Sequence, residues 1–153
     1  MDSFDLRSVL LAKHAQHVAL VHFPIALIFV SVAFDLLSLR KQNLALLRVA
    51  YYTVIAAALA AVPGVATGIL AWQLQFEGKA PRGNLKLYLL LALSSSVLIW
   101  LVCWLHIWVQ HKPLAYSPNI RLVAEVMAVA LTLLTGHVDG FVSGVNSPMQ
   151  AVE

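Results

Sequence analysis

The chain has 153 residues, enough for one domain, of which 61% are hydrophobic and 11% charged, with a mean hydropathy of +0.84. A water-soluble core of this length cannot enclose so much apolar surface, so the solvent is lipid. The formal charge of +3 is split among short basic clusters between apolar runs, which suits interfacial anchors and excludes a nucleic-acid footprint.

A membrane helix needs about 20 apolar residues, and runs of that length lie at about 18–39, 44–76, 85–107 and 120–142. Ahead of the first run, "MDSFDLRSVLLAKH" places Asp2 and Asp5 before any base, and its apolar stretch is too short for a cleaved signal. The first run is therefore expected to remain as a signal-anchor. His14, His17, His22 and Pro24 stand at its head, where His22 is either a ligand within the run or an interfacial group with Pro24 opening the helix after it, and Asp35 lies near its far end. "RKQN", Arg40 to Asn43, is a basic hairpin loop leading to the second run, where Pro63 and Gly64 predict a kink.

"EGKAPRGN" brings Gly and Pro to the end of the second run. The third run holds Tyr88, Cys103 and His106, with His111 beyond it, and "HKPLAYSPN" then offers Ser117 as N-cap and Pro118 as first residue of the fourth helix. The tail "GVNSPMQAVE" is too polar to continue that helix. Short connections force neighbouring helices to run antiparallel, so the expected fold is an all-α, integral membrane, up-down-up-down four-helix bundle forming a single domain. The lone cysteine, Cys103, excludes an internal disulfide.

The positive-inside count is balanced: Arg7, Lys13, Lys79, Arg82 and Lys86 fall on one side, and Arg40, Lys41, Arg48, Lys112 and Arg121 on the other. The acids Asp2, Asp5, Glu77, Asp139 and Glu153 lie with the termini, which favours placing both termini outside the cytoplasm, in the periplasm of a bacterial inner membrane.

At about 1.5 Å per residue, His22 lies about 25 Å along the first helix from Leu39, and His137 about 24 Å along the fourth from Arg121. Gly64, Gly68 and Tyr88 reach the same layer. Two imidazoles on facing helices, with glycines where a flat ring must approach backbone, are what a b-type haem needs, so His22 and His137 are the candidate metal ligands. Arg82, Asn84 and Lys86 are placed to meet propionates at the interface. The glycine pairs also match the small-xxx-small spacing of ordinary helix packing. His14 and His17 read as water-exposed, His106 and His111 as interfacial groups at the opposite face, and Asp35 and Glu125 as partners of Arg40, Arg48 or Arg121 at the surface. Trp72, Trp100, Trp104 and Trp108 read as interfacial belt and lipid-facing filler. No phosphate loop, zinc-protease helix or nucleophile elbow is present.

"HVALVHFPIALIFVSVAFDLL" resembles the opening of a family of uncharacterised bacterial four-helix membrane proteins, a domain of unknown function, through His17, His22, Phe23, Pro24, Ile25, Ala26, Leu27, Phe34 and Asp35. "AALAAVPGVATGILAW" is similar to its second helix, with Ala61, Pro63, Gly68 and Trp72, and "LTGHVDG" to the start of its last motif. The resemblance implies a b-type haem protein found beside cytochromes c and other electron-transfer proteins, and adds His17 to the candidate haem residues. The chain departs from the family pattern at Val18, where members carry Pro, and at Tyr88, where they carry His.

Two functions follow as expectations. One is a non-catalytic electron-transfer subunit with haem b near the outer leaflet, relaying electrons between a periplasmic cytochrome c and a quinone or larger redox complex. The other is a cofactor-free structural subunit packed against larger integral membrane subunits of a redox or photosynthetic complex.

Overall fold

The computed structural model describes residues 13–75, 83–111 and 118–142. Four helices follow in order: α1 (Lys13–Lys41), α2 (Leu44–Gln75), α3 (Gly83–His111) and α4 (Pro118–Val142). Each contains a stretch long and apolar enough to cross a membrane: Leu20–Lys41, Leu44–Leu70, Gly83–Val109 and Asn119–Phe141. The most extensive contact is α1 on α2, followed by α3 on α4, and the α2–α3 and α1–α4 contacts close the ring. The expected all-α four-helix membrane bundle is what the chain forms.

The α1–α2 turn is tighter than the hairpin loop expected at "RKQN". Arg40 and Lys41 form the last turn of α1 instead, where cations favour the negative end of the helix dipole. Gln42 then adopts a left-handed φ of 50°, and the Asn43 N–H donates to the Ser38 carbonyl at 3.2 Å, a Schellman closure of α1. The Asn43 side chain accepts from the Ala45 N–H at 2.8 Å and so caps α2. Only Gln42 and Asn43 separate the two helices, which must run antiparallel.

Of the two readings of Pro24, the one inside the helix holds, since α1 begins at Lys13 and runs through it. The ring is buried among neighbouring helices, and such packing lets membrane helices tolerate a missing N–H. Likewise α2 continues through Pro63 and Gly64 to Gln75. The Thr67 hydroxyl donates to the Pro63 carbonyl at 2.8 Å and lies 3.0 Å from that of Gly64. At the far end Pro118 is the first residue of α4, as expected, while Ser117, "EGKAPR" with Arg82, and the residues after Val142 lie outside the described residues.

Only 22–28% of each span is buried. Large apolar side chains such as Phe23, Leu59, Trp104 and Leu133 face outward, as they do where the surroundings are hydrocarbon. The middle of the bundle is a tight apolar layer of Ile28, Val54, Ala57, Ala58, Ile99, Val102, Cys103 and Ala128. Three alanines among these residues let the helix backbones approach closely. This layer separates two compartments, an open cavity toward the α1 N-terminus and a buried polar cluster toward the α1–α2 turn.

Candidate functional site

The cavity has a volume of about 610 Å³ and takes walls from all four helices. α1 contributes His22 and Pro24, α2 contributes Gly64, Gly68 and Trp72, α3 contributes Tyr88. Its lining is mostly apolar, and its size falls in the range of organic ligand and cofactor sites, about 300–1,000 Å³. Lys86 and Asp139 add a charge of each sign, and Thr132, Thr135 and Ser95 add hydroxyls. The Ser95 and Thr135 hydroxyls also meet each other at 2.9 Å, tying α3 to α4 beside the cavity.

Four residues singled out in the sequence, His22, Gly64, Gly68 and Tyr88, thus share one cavity. His137 is placed differently. It is exposed, it packs edge-on against Phe141 of its own helix with ring centroids 5.3 Å apart, and it is not among the lining residues, although its neighbours Gly136 and Asp139 are. The backbone of His17 lies in α1, and Arg82 lies outside the described residues. Two glycines that line the cavity differ in kind. A Cβ built on Gly64 would touch Val21 of α1 at 3.8 Å, an ordinary contact, so Gly64 also belongs to the α1–α2 seam. A Cβ on Gly136 would meet nothing within 4 Å. Trp72 contributes to the cavity wall, and Trp100 and Trp104 are exposed.

The second compartment departs from the sequence reading. Asp35 and Glu125 were expected to find arginines at the surface, but both are fully buried. Asp35 takes a two-pronged contact from Arg121, Nε to Oδ2 at 2.8 Å and Nη2 to Oδ1 at 2.6 Å, with the Ser38 hydroxyl 3.3 Å from Oδ1. Arg40 and Arg48 are exposed. Among the described residues Glu125 pairs with no arginine. Its Oε1 lies 2.6 Å from His106 Nε2 and 3.2 Å from the Ser31 hydroxyl, which is also 3.1 Å from the Ala50 carbonyl. Its Oε2 is buried without a hydrogen-bond partner.

His106, expected to be interfacial, is only 2% exposed and belongs to this cluster. The physical reason is rotational. His106, Glu125, Asp35 and Arg121 each lie on the inward face of their helix, so the bundle interior gathers polar groups that hydrocarbon would reject. The spacings Ser31–Asp35–Ser38 and Arg121–Glu125 were the available signal, since residues three or four apart share a helix face.

No curated protein and no solved structure matches the chain. The family described as "Predicted membrane protein (DUF2231)" matches residues 13–142, which takes in all four helices, the whole lining of the cavity and the whole buried cluster. On that match the chain belongs to the DUF2231 family of membrane proteins.

Proposed function

We propose that this chain is a membrane-embedded electron-transfer subunit whose cavity holds a b-type haem, with His22 as its protein ligand. The observation that carries the reading is the cavity itself: an imidazole, two glycines and a tyrosine from three helices border one mostly apolar space of about 610 Å³. A neutral imidazole is a ready iron ligand, and glycines let a flat ring lie against backbone. The residues fit such a group with one imidazole, because His137 stands outside the lining. When bound, a haem supplies reversible one-electron chemistry. The protein's own part is to hold the ligand nitrogen in place, to keep water away with the apolar walls, and to offer Lys86 as a cation for an acidic substituent.

In this reading the partners are other integral membrane subunits, a periplasmic cytochrome c and a quinone or larger redox complex, and both termini are periplasmic. No soluble segment in the sequence is long enough to be an enzyme, which supports a role inside a larger assembly.

The test is a visible spectrum of the purified chain, air-oxidised against dithionite-reduced. A sharp reduced α-band that is lost in His22→Ala and kept in His106→Ala supports the proposal. Absence of any such band from the unmutated protein purified from its native membrane sinks it, and the cofactor-free structural subunit takes its place.

A further inference from the structure

The buried cluster is not needed by the cavity, and the apolar layer stands between them. From Ile99, which lines the cavity, to His106 is seven residues of α3, about 10 Å of helix.

Three helices bring a ligating group to one point in the cluster. α1 supplies Asp35, α3 His106 and α4 Glu125, and one nitrogen or oxygen atom of each lies within 4.8 Å of the other two. All three residues are buried, His106 at 2% exposure and both acids at 0%. One imidazole and two carboxylates are donors that divalent ions such as Zn2+ and Mn2+ take from proteins, and the facing helices of a bundle are where such sites are built. Cys103, one turn from His106, is not in the set.

Most polar atoms here are already engaged. Arg121 holds both oxygens of Asp35, and Glu125 Oε1 meets His106 Nε2 at 2.6 Å and the Ser31 hydroxyl at 3.2 Å. Glu125 Oε2 is the exception, an atom without a partner on a fully buried side chain. A buried carboxylate oxygen left so is costly, and no hydrogen bond within the cluster relieves it. Charge is incomplete as well. Two carboxylates face one guanidinium, so with a neutral imidazole the group carries one negative charge in excess. A cation answers both deficits.

The existing contacts leave room for one. A carboxylate has about four lone-pair positions, so Asp35 can keep Arg121 and Ser38 and still offer one, and ligating carboxylates are commonly held by such outer partners. With metal–ligand bonds of about 2.1 Å at a tetrahedral angle, neighbouring ligand atoms stand about 3.4 Å apart. The 2.6 Å His106–Glu125 contact has to open by only about 0.8 Å to reach that spacing, a small side-chain rotation. A neutral imidazole then presents the Nε2 lone pair, with its hydrogen on Nδ1. The net charge passes from one negative to one positive and is no larger in magnitude.

We propose that Asp35, His106 and Glu125 form a buried site for a divalent cation of the Zn2+ class, with Glu125 Oε2 as the ligand atom held in reserve for it. The site is enclosed, as structural metal sites are, and the ion's role is to clamp the α1–α2 hairpin to the α3–α4 hairpin below the apolar layer.

The test uses the full-length protein in detergent, stripped with EDTA and carrying no histidine tag. Calorimetric titration with Zn2+ is expected to give one site per chain, and the SDS-unfolding midpoint is expected to rise with Zn2+ concentration. Glu125→Gln and His106→Ala are each expected to weaken binding by at least about tenfold, whereas His137→Ala, exposed on α4, leaves it unchanged. Where a ligand variant fails to fold, X-ray absorption at the zinc edge of the unmutated protein decides, with one imidazole, oxygen neighbours and no sulfur as the expected result. Lack of stoichiometric binding, binding that survives both ligand substitutions, or a sulfur neighbour at the zinc would each overturn the proposal.

Discussion

Arg121→Ala is the substitution whose cost the structure defines best. It deletes both charge-assisted contacts to Asp35, at 2.8 and 2.6 Å, and leaves a fully buried carboxylate with only the Ser38 hydroxyl at 3.3 Å. Removing one partner of a buried ion pair costs about 3–5 kcal/mol, because the other charge is stranded. At about 1.4 kcal/mol per tenfold, that is roughly a thousandfold in the folding equilibrium. Replacing both members, Asp35→Leu with Arg121→Met, strands nothing and is expected to cost less than either single change. The assay is a reversible SDS-unfolding titration of the purified protein followed by tryptophan fluorescence. Single and double variants with additive losses, or an Arg121→Ala protein within about 1 kcal/mol of the parent, would show that the pair is not held as described.

Three further outcomes can be checked directly. His137→Ala is expected to keep any reduced α-band, because His137 lies outside the cavity lining, and loss of the band on its removal would restore it as a ligand. Gly64→Ala is expected to be neutral or to stabilise by up to about 1 kcal/mol, since the new methyl meets Val21 at 3.8 Å and alanine is the better helix former; the same SDS titration reads it, and a large loss would mean that the backbone contact is closer than this. Cysteines introduced at Ser3 and Gln42 are expected to react with an impermeant reagent from opposite sides of the membrane, Ser3→Cys from outside. Labelling of Gln42→Cys alone on intact cells would invert the proposed orientation.

The fold was largely legible because lipid imposes length and composition on any helix that crosses it. The runs at 44–76 and 120–142 coincide with α2 and α4 to within a residue or two. What composition cannot supply is rotation about each helix axis. Outward and inward faces are both apolar here, so Leu59 facing outward and Val54 buried look alike in sequence. The layer holding His22, Gly64, Gly68 and Tyr88 was found from depth alone, since residues at one depth in a narrow bundle share a neighbourhood. His137 has the same depth as that layer and a different azimuth, and depth arithmetic could not see the difference. The Asp35–Arg121 and His106–Glu125 pairs join different helices across 86 and 19 residues of sequence, so nothing local announced them. The error was to treat ionisable groups near helix ends as surface groups when their spacing already placed them on shared faces.

The two-residue turn after Lys41 has a consequence for biogenesis. Its capping is complete within Ser38, Gln42, Asn43 and Ala45, so α1 and α2 can enter the bilayer as a finished hairpin while the rest of the chain is still being made. Asp35 then waits in that hairpin for an arginine that arrives 86 residues later on α4. A carboxylate without a partner is costly in hydrocarbon, and Arg121 supplies both contacts that satisfy it, so the last helix to be synthesised is the one that locks the first in place.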